Sequence, residues 1–434
     1  MLVRLAHSLA LPLTASLLLA ACGDSGDGAT EGATEGQAST GGDPSTGDPS
    51  DTATPSTTVD EPTTGTPGTD TGEPDPTGDP DPTTGDPTDG TTGDEPSPYN
   101  GDPLPPADDG DWIWVDFPES KCRDGSSTGI GVRYGSGPGL VIFFEGGGAC
   151  FNSFTCGVNP SKYDGKNFQG NTGGIFDTTK LNNPVADWSF VYVPYCTGDV
   201  HAGNMPDGTL PDMPGQKFQF VGYANMGHFL QRIVPTFLGE VDQVLTTGVS
   251  AGGFGAAFNY DRIADAFPKV PNTLLDDSGP PMSDDYLAPC LQKKWREAWN
   301  LDATIPKECT DCFPADGGGI VNLGVYLANK HSADRLALIS SLGDNTIRLF
   351  FGFGNDNCTA LIPSTPVDTF TAGLHDLRDN WLNEPADTWG SFFLSGEQHT
   401  WIGGDSYYTA SSKGTPLLAW ISELIDGNTS NVEP

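Results

Sequence analysis

The chain has 434 residues, with 58 acidic and 20 basic side chains and a formal net charge of −38, a balance that excludes nucleic acid and disfavours other polyanions as partners. Residues 1–110 carry 21 of the acids and a single base, Arg4, so residues 111–434 retain a charge of about −18, from 37 acidic and 19 basic side chains. That remainder exceeds one small core and suits a single large α/β domain with insertions.

Residues 1–21 read as an export leader, with Arg4, an apolar run over 9–19 and small residues at Ala20-Ala21. The sequence Leu19-Ala20-Ala21-Cys22 resembles a bacterial lipobox, which predicts cleavage before Cys22, lipidation of that cysteine and anchoring in a membrane. Gly23, where an aspartate would argue for retention in the inner membrane, favours the outer membrane, facing the periplasm or the cell surface. From 23 to 110 there is no further Lys or Arg, and Thr-Gly-Asp-Pro units recur irregularly. Such a segment cannot bury enough apolar surface to offset the entropy of ordering it, so 22–110 is expected to be a disordered tether spanning about 50 Å or more. Its acids lack the spacing of a calcium loop.

The domain 111–434 alternates strand and helix patterns. Strands are expected at 140–145, 190–195, 244–249, 273–276, 336–340 and 391–395. Helices are expected at 223–237, 255–266, 291–303, 320–331, 367–383 and 417–425. Several strand runs are apolar throughout, as strands covered on both faces are, and the alternation indicates an α/β fold with a mostly parallel sheet wrapped by helices. Functional groups in such sheets gather at the C-terminal ends of the strands.

Of nine cysteines, eight remain once Cys22 is lipidated, an even number that favours four disulfides in an exported chain. Cys150 and Cys156 are close enough in sequence to pair. Cys309-x-x-Cys312 has no second Cys or His pair of matching spacing, so no metal site is expected there.

The chemistry centres on 244–260, VLTTGVSAGGFGAAFNY. Gly248-Val249-Ser250-Ala251-Gly252 has the G-x-S-x-G form of a nucleophile elbow, in which a strand turns sharply into a helix and lifts one serine clear. Ser250 is the candidate nucleophile. A serine hydroxyl needs an imidazole to take its proton, and the imidazole needs a carboxylate to orient it. In chain order Ser, acid, His, three histidines follow: His331 at a helix end, His375 within a helix, and His399 in a loop after the last apolar strand. His399 is the preferred base. Asp344, in a turn after the 336–340 strand, is the preferred acid, with Asp276 and Asp277 as the alternative or as supporting residues. The strand ending in Glu145-Gly146-Gly147-Gly148-Ala149-Cys150 offers bare amides for an oxyanion, which the amide of Ala251 would join. Glycine- and proline-rich stretches at 169–174 and 201–219 could form a lid or rim, with plain surface loops as the default.

Glu145-Gly-Gly-Gly-Ala-Cys150, Cys156, Gly248-Val-Ser-Ala-Gly-Gly253, Ser341-Leu-Gly-Asp344 with Ile347, and His399 together resemble the pectin acetylesterase family, which includes the animal carboxylesterase Notum. The resemblance spans most of 111–420. It implies an α/β-hydrolase-like fold, a triad of Ser250, Asp344 and His399, and oxyanion amides at Gly148, Ala149 and Ala251. It also implies disulfides Cys150–Cys156 and Cys122–Cys196. Many members carry tryptophan after the triple glycine, so Ala149 trims a wall of the pocket. The acidic surface disfavours pectin itself, a polyanion. The expectation is a tethered serine esterase that needs no metal or organic cofactor. Its expected substrate is a carbohydrate O-acetyl ester on an acetylated polysaccharide or glycan. The alternatives are a longer acyl or lipid ester, an amide, or a non-catalytic glycan-binding module.

Overall fold

In the computed structural model the described residues are 97–360, 363–383 and 388–434; the leader, Cys22 and the tether to residue 96 lie outside them. Among these residues the longer strands are β1 Trp112–Phe117, β2 Thr128–Arg133, β3 Gly139–Phe144, β4 Ser189–Val193, β5 Met205–Gly208, β6 Phe218–Phe220, β7 Gln243–Val249, β8 Asn272–Asp277, β9 Arg335–Ser341 and β10 Trp389–Leu394. All but β5 and β6, which pair as a hairpin, lie in one sheet of order β1-β2-β4-β3-β7-β8-β9-β10, closed at its far edge by a short strand, Asn431–Val432. The β1–β2 and β2–β4 pairs are antiparallel, and every pair from β4 to the far edge is parallel.

All six expected strands are present. Their apolar runs are explained by burial on both faces: along β3, Leu140, Ile142 and Phe144 join one core cluster, while Val141 and Phe143 join the other. Burying each such side chain contributes about 1.5–3 kcal/mol. The expected helices also form, as Gly222–Phe237, Ala251–Ala266, Pro289–Trp299, Asn322–Lys330, Val367–Asp376 and Leu417–Ile425. The fourth in sequence order of the expected segments, 320–331, loses residues at both ends, and 291–303 stops at Trp299 because Asn300 turns left-handed, with φ 55°. Among the described residues no helix is long and apolar enough to cross a membrane.

Four disulfides form: Cys122–Cys196, Cys150–Cys156, Cys290–Cys358 and Cys309–Cys312. Cys309 and Cys312 are thus bonded to each other. The 201–219 stretch is not a plain loop, since it contains the β5–β6 hairpin. The 169–174 stretch packs beside β1, where Asn171 accepts from the Trp112 indole.

Candidate active site

The elbow forms as its spacing demands. Strand β7 ends at Val249, Ser250 takes φ 58° and ψ −121°, and the helix Ala251–Ala266 begins at the next residue. A non-glycine residue held in that region costs on the order of 1–3 kcal/mol, which the surrounding packing must supply. Glycine is required on either side: a Cβ on Gly248 would lie 2.3 Å from the Gly252 carbonyl oxygen, and one on Gly252 would lie 2.0 Å from the Phe144 carbonyl oxygen. Strand, turn and helix therefore press together at the end of β3.

The loop after β3 is clamped by its carbonyls. Neutral His201 donates from Nε2 to the Glu145 carbonyl at 2.8 Å, Asn159 donates to that of Gly147 at 2.5 Å, and the Tyr195 hydroxyl to that of Gly148 at 2.7 Å. Burial pushes His201 down to about 4, which keeps it neutral. Burial likewise raises Glu145 to about 7, although bonds from the Tyr192 hydroxyl and the Tyr195 amide pull it back. With these carbonyls taken, and the Glu145 and Cys150 amides bonded to the carbonyls of Val193 and Gly198, two amides of the loop are left to face the site. Those of Gly148 and Ala149, and that of Ala251 across the gap, have no acceptor among the described residues, and all three residues line one cavity with Ser250.

At the other side of β7, Asp344 is fully buried and divides its oxygens between two tasks. Oδ1 caps the helix Asn345–Phe351 by accepting from the amides of Thr346 and Ile347, both at 3.0 Å. Oδ2 accepts from His399 Nδ1 at 2.8 Å. That bond leaves His399 Nε2 unprotonated in the neutral ring, and this buried atom has no partner among the described residues. Ser250 and His399 are not hydrogen-bonded to each other. The other histidines are engaged elsewhere, His331 with Asp261 at 2.7 Å and His375 with Glu433 at 3.2 Å. Neither Asp276 nor Asp277 touches the His399 ring through a hydrogen bond: Asp276 accepts from the Gly279 amide, and Asp277 from the amides of Trp401 and Ile402.

The space at Ser250 amounts to about 540 Å³ with the open solvent at its mouth counted in, and its walls are apolar. Phe254 and Phe258 come from the helix after the elbow, and Trp295 and Trp299 from the helix Pro289–Trp299, their rings stacked at 5.8 Å. Ile347, Phe350 and Phe351 close it from the helix that Asp344 caps. Ala149 lines the cavity as well. The aromatic walls were missed in the sequence; their one signal is the i, i+4 pair Trp295 and Trp299, which reads equally as core packing.

Residues 115–314 match the family model for pectinacetylesterase. Curated relatives include a palmitoleoyl-protein carboxylesterase, notum2, of Xenopus laevis, 32% identical over 158 residues, or 33% of this chain and 30% of that one. The palmitoleoyl-protein carboxylesterase NOTUM of Drosophila melanogaster is 26% identical over 219 residues, 45% and 32% of the two chains, and that of Homo sapiens 31% over 181, 36% and 34%. The chain therefore spans about a third of the length of the relatives it matches. The resemblance to the pectin acetylesterase and Notum family read from the motifs holds. The matched stretch takes in the clamped loop and the elbow but ends before Asp344 and His399, so their place beside the elbow rests on the fold alone.

Proposed function

We propose that this pectinacetylesterase-type chain is a serine carboxylic-ester hydrolase whose cavity accepts an acyl chain longer than acetyl. Ser250 Oγ attacks the ester carbonyl carbon while His399 Nε2 takes its proton, and Asp344 holds the imidazolium. The amides of Gly148, Ala149 and Ala251 receive the oxyanion. The carbon–oxygen bond to the alcohol breaks as His399 returns the proton to the leaving oxygen. Water, deprotonated by the same Nε2, then attacks the acyl-serine and releases the acid.

The observation that carries the acyl preference is the aromatic wall, continuous with the nucleophile, which gains free energy only when a hydrocarbon chain displaces water from it. An acetyl group, the substrate first expected, is too small to cover the aromatic wall. Notum relatives are described as palmitoleoyl-protein carboxylesterases, which supports the same choice. The four disulfides support the expected export, and membrane attachment through Cys22 belongs to the same proposal. The test gives p-nitrophenyl esters from acetyl to palmitoyl, and acetylated xylan, to the full-length oxidised protein and to Ser250→Ala. Hydrolysis that favours hexanoyl or longer chains by at least about tenfold in kcat/KM and disappears in the variant is expected. A preference for acetyl overturns the acyl reading. Absence of both turnover and fluorophosphonate labelling replaces the enzyme with a binding module.

A further inference from the structure

We propose that Asp277 is a positioning residue that sets the distance between nucleophile and base, tying the Ser250 turn and the His399 loop to one point at the end of β8. This rests on the serine-hydrolase reading above. The Asp277 carbonyl oxygen accepts from the Ser250 amide at 2.7 Å. Its side-chain Oδ2 accepts from the amides of Trp401 and Ile402, at 2.6 and 2.9 Å. Oδ1 accepts from the Ser278 hydroxyl at 2.9 Å, and Ser278 Oγ in turn accepts from the Thr400 amide at 3.3 Å. One residue thus grips the nucleophile by its backbone and the base by three successive amides just beyond it, the first through Ser278.

The grip falls where the loop needs it. On the N-terminal side of His399 the chain is held to the β9 turn, by Ser341 Oγ on the Gln398 carbonyl and the Gly343 amide on the Gly396 carbonyl. On the C-terminal side Thr400 has φ 62°, an unfavourable conformation for a β-branched residue, and a turn under that strain relaxes unless its amides are anchored. Among the described residues only the Asp277–Ser278 pair reaches the amide of 400 and both amides that follow it. Asp277 is fully buried, and among the described residues no Lys or Arg pairs with it. A carboxylate is costly to bury, and burial pushes this one up to about 6, yet a side chain with fewer acceptors would leave these amides orphaned. Because Ser250 and His399 share no bond of their own in this state, their alignment depends on this frame.

The test compares Asp277→Ala and Asp277→Asn in the full-length protein, beside wild type and Ser250→Ala. Asparagine keeps an oxygen able to accept both amides; alanine keeps none. For Asp277→Ala, kcat is expected to fall about 100-fold, the scale of an ångström-sized misplacement, with KM within about threefold and slower fluorophosphonate capture. Asp277→Asn should recover kcat to within about tenfold of wild type. Equal losses in both variants, or wild-type kcat in Asp277→Ala, overturn the proposal. Should Asp277→Ala fail to fold, Ser278→Ala decides: a loss of about fivefold in kcat at unchanged KM supports the frame, and none overturns it. An inactive wild type would defeat the hydrolase reading itself, a result separate from all of these.

Discussion

Asp344 does two jobs with one carboxylate, and the two can be separated. In Asp344→Asn the amide oxygen can still cap the helix Asn345–Phe351, so the thermal midpoint should change little. The imidazole, however, would lose the acceptor that fixes its tautomer, and kcat should fall roughly 10³- to 10⁴-fold. A midpoint that collapses along with kcat would show that capping, not tautomer control, is the residue's main contribution. Glu145 offers a converse case. Its carboxyl, raised by burial to about 7, accepts from the Tyr195 amide beneath the clamped loop. Glu145→Gln keeps that acceptor without the titration. It should retain kcat within a few-fold and flatten the fall in stability between pH 5 and 7, to which a shift of this size contributes roughly 3 kcal/mol.

At the scale of elements, the cavity at Ser250 stands between two helices that the sequence places far apart. Cys290 lies at the start of Pro289–Trp299, and Cys358 follows the helix Asn345–Phe351, so their disulfide staples one aromatic wall to the other. Closing a loop of 68 residues is worth about 4 kcal/mol in the chain-entropy model. The double variant Cys290→Ser, Cys358→Ser should lower the thermal midpoint by several degrees and flatten the acyl-chain profile, because the walls can then part. An unchanged profile would place the selectivity in the helices alone. None of this pairing was legible beforehand, since only the folded chain brings 290 beside 358. What was legible followed from local rules: an elbow needs glycine two residues either side of the serine, and a doubly buried strand is apolar throughout. Strand β2 escaped notice because Gly129 and Gly131 interrupt its apolar run. Gly131 is there because a Cβ would meet the Phe168 ring at 2.3 Å, a contact invisible in one dimension. The aromatic walls escaped for a related reason: a side chain facing a cavity and one facing the core have the same composition. Asp277 was visible as an acid ending a strand, but its partners are amides, which every residue has.

For the whole molecule, buried acids set the response to pH. Burial raises Asp199 and Asp277 to about 6 and Glu145 to about 7, and holds Asp276 well above the usual carboxylate range. Each native carboxyl then keeps a proton that the unfolded chain has released, so its contribution to stability is present at acid pH and is lost as pH rises through the native value. His201, lowered to about 4, acts in the opposite sense below about pH 6.5, where only the unfolded chain takes up the proton. Four carboxyls outweigh one imidazole, and the net negative charge repels itself less on acidification, so the thermal midpoint should rise as pH is lowered from 7.5 to 5.5. A midpoint that falls across that interval would show that these acids are ionised in the native state. The sheet order has a consequence in time. The loop after β3, the serine after β7, the acid after β9 and the histidine after β10 meet only when the parallel strands are aligned, and the histidine is synthesised last. A chain whose last strand is not yet in place therefore carries the proposed nucleophile with its proposed base out of reach. On the proposed reading the site is therefore latent until its sheet is complete.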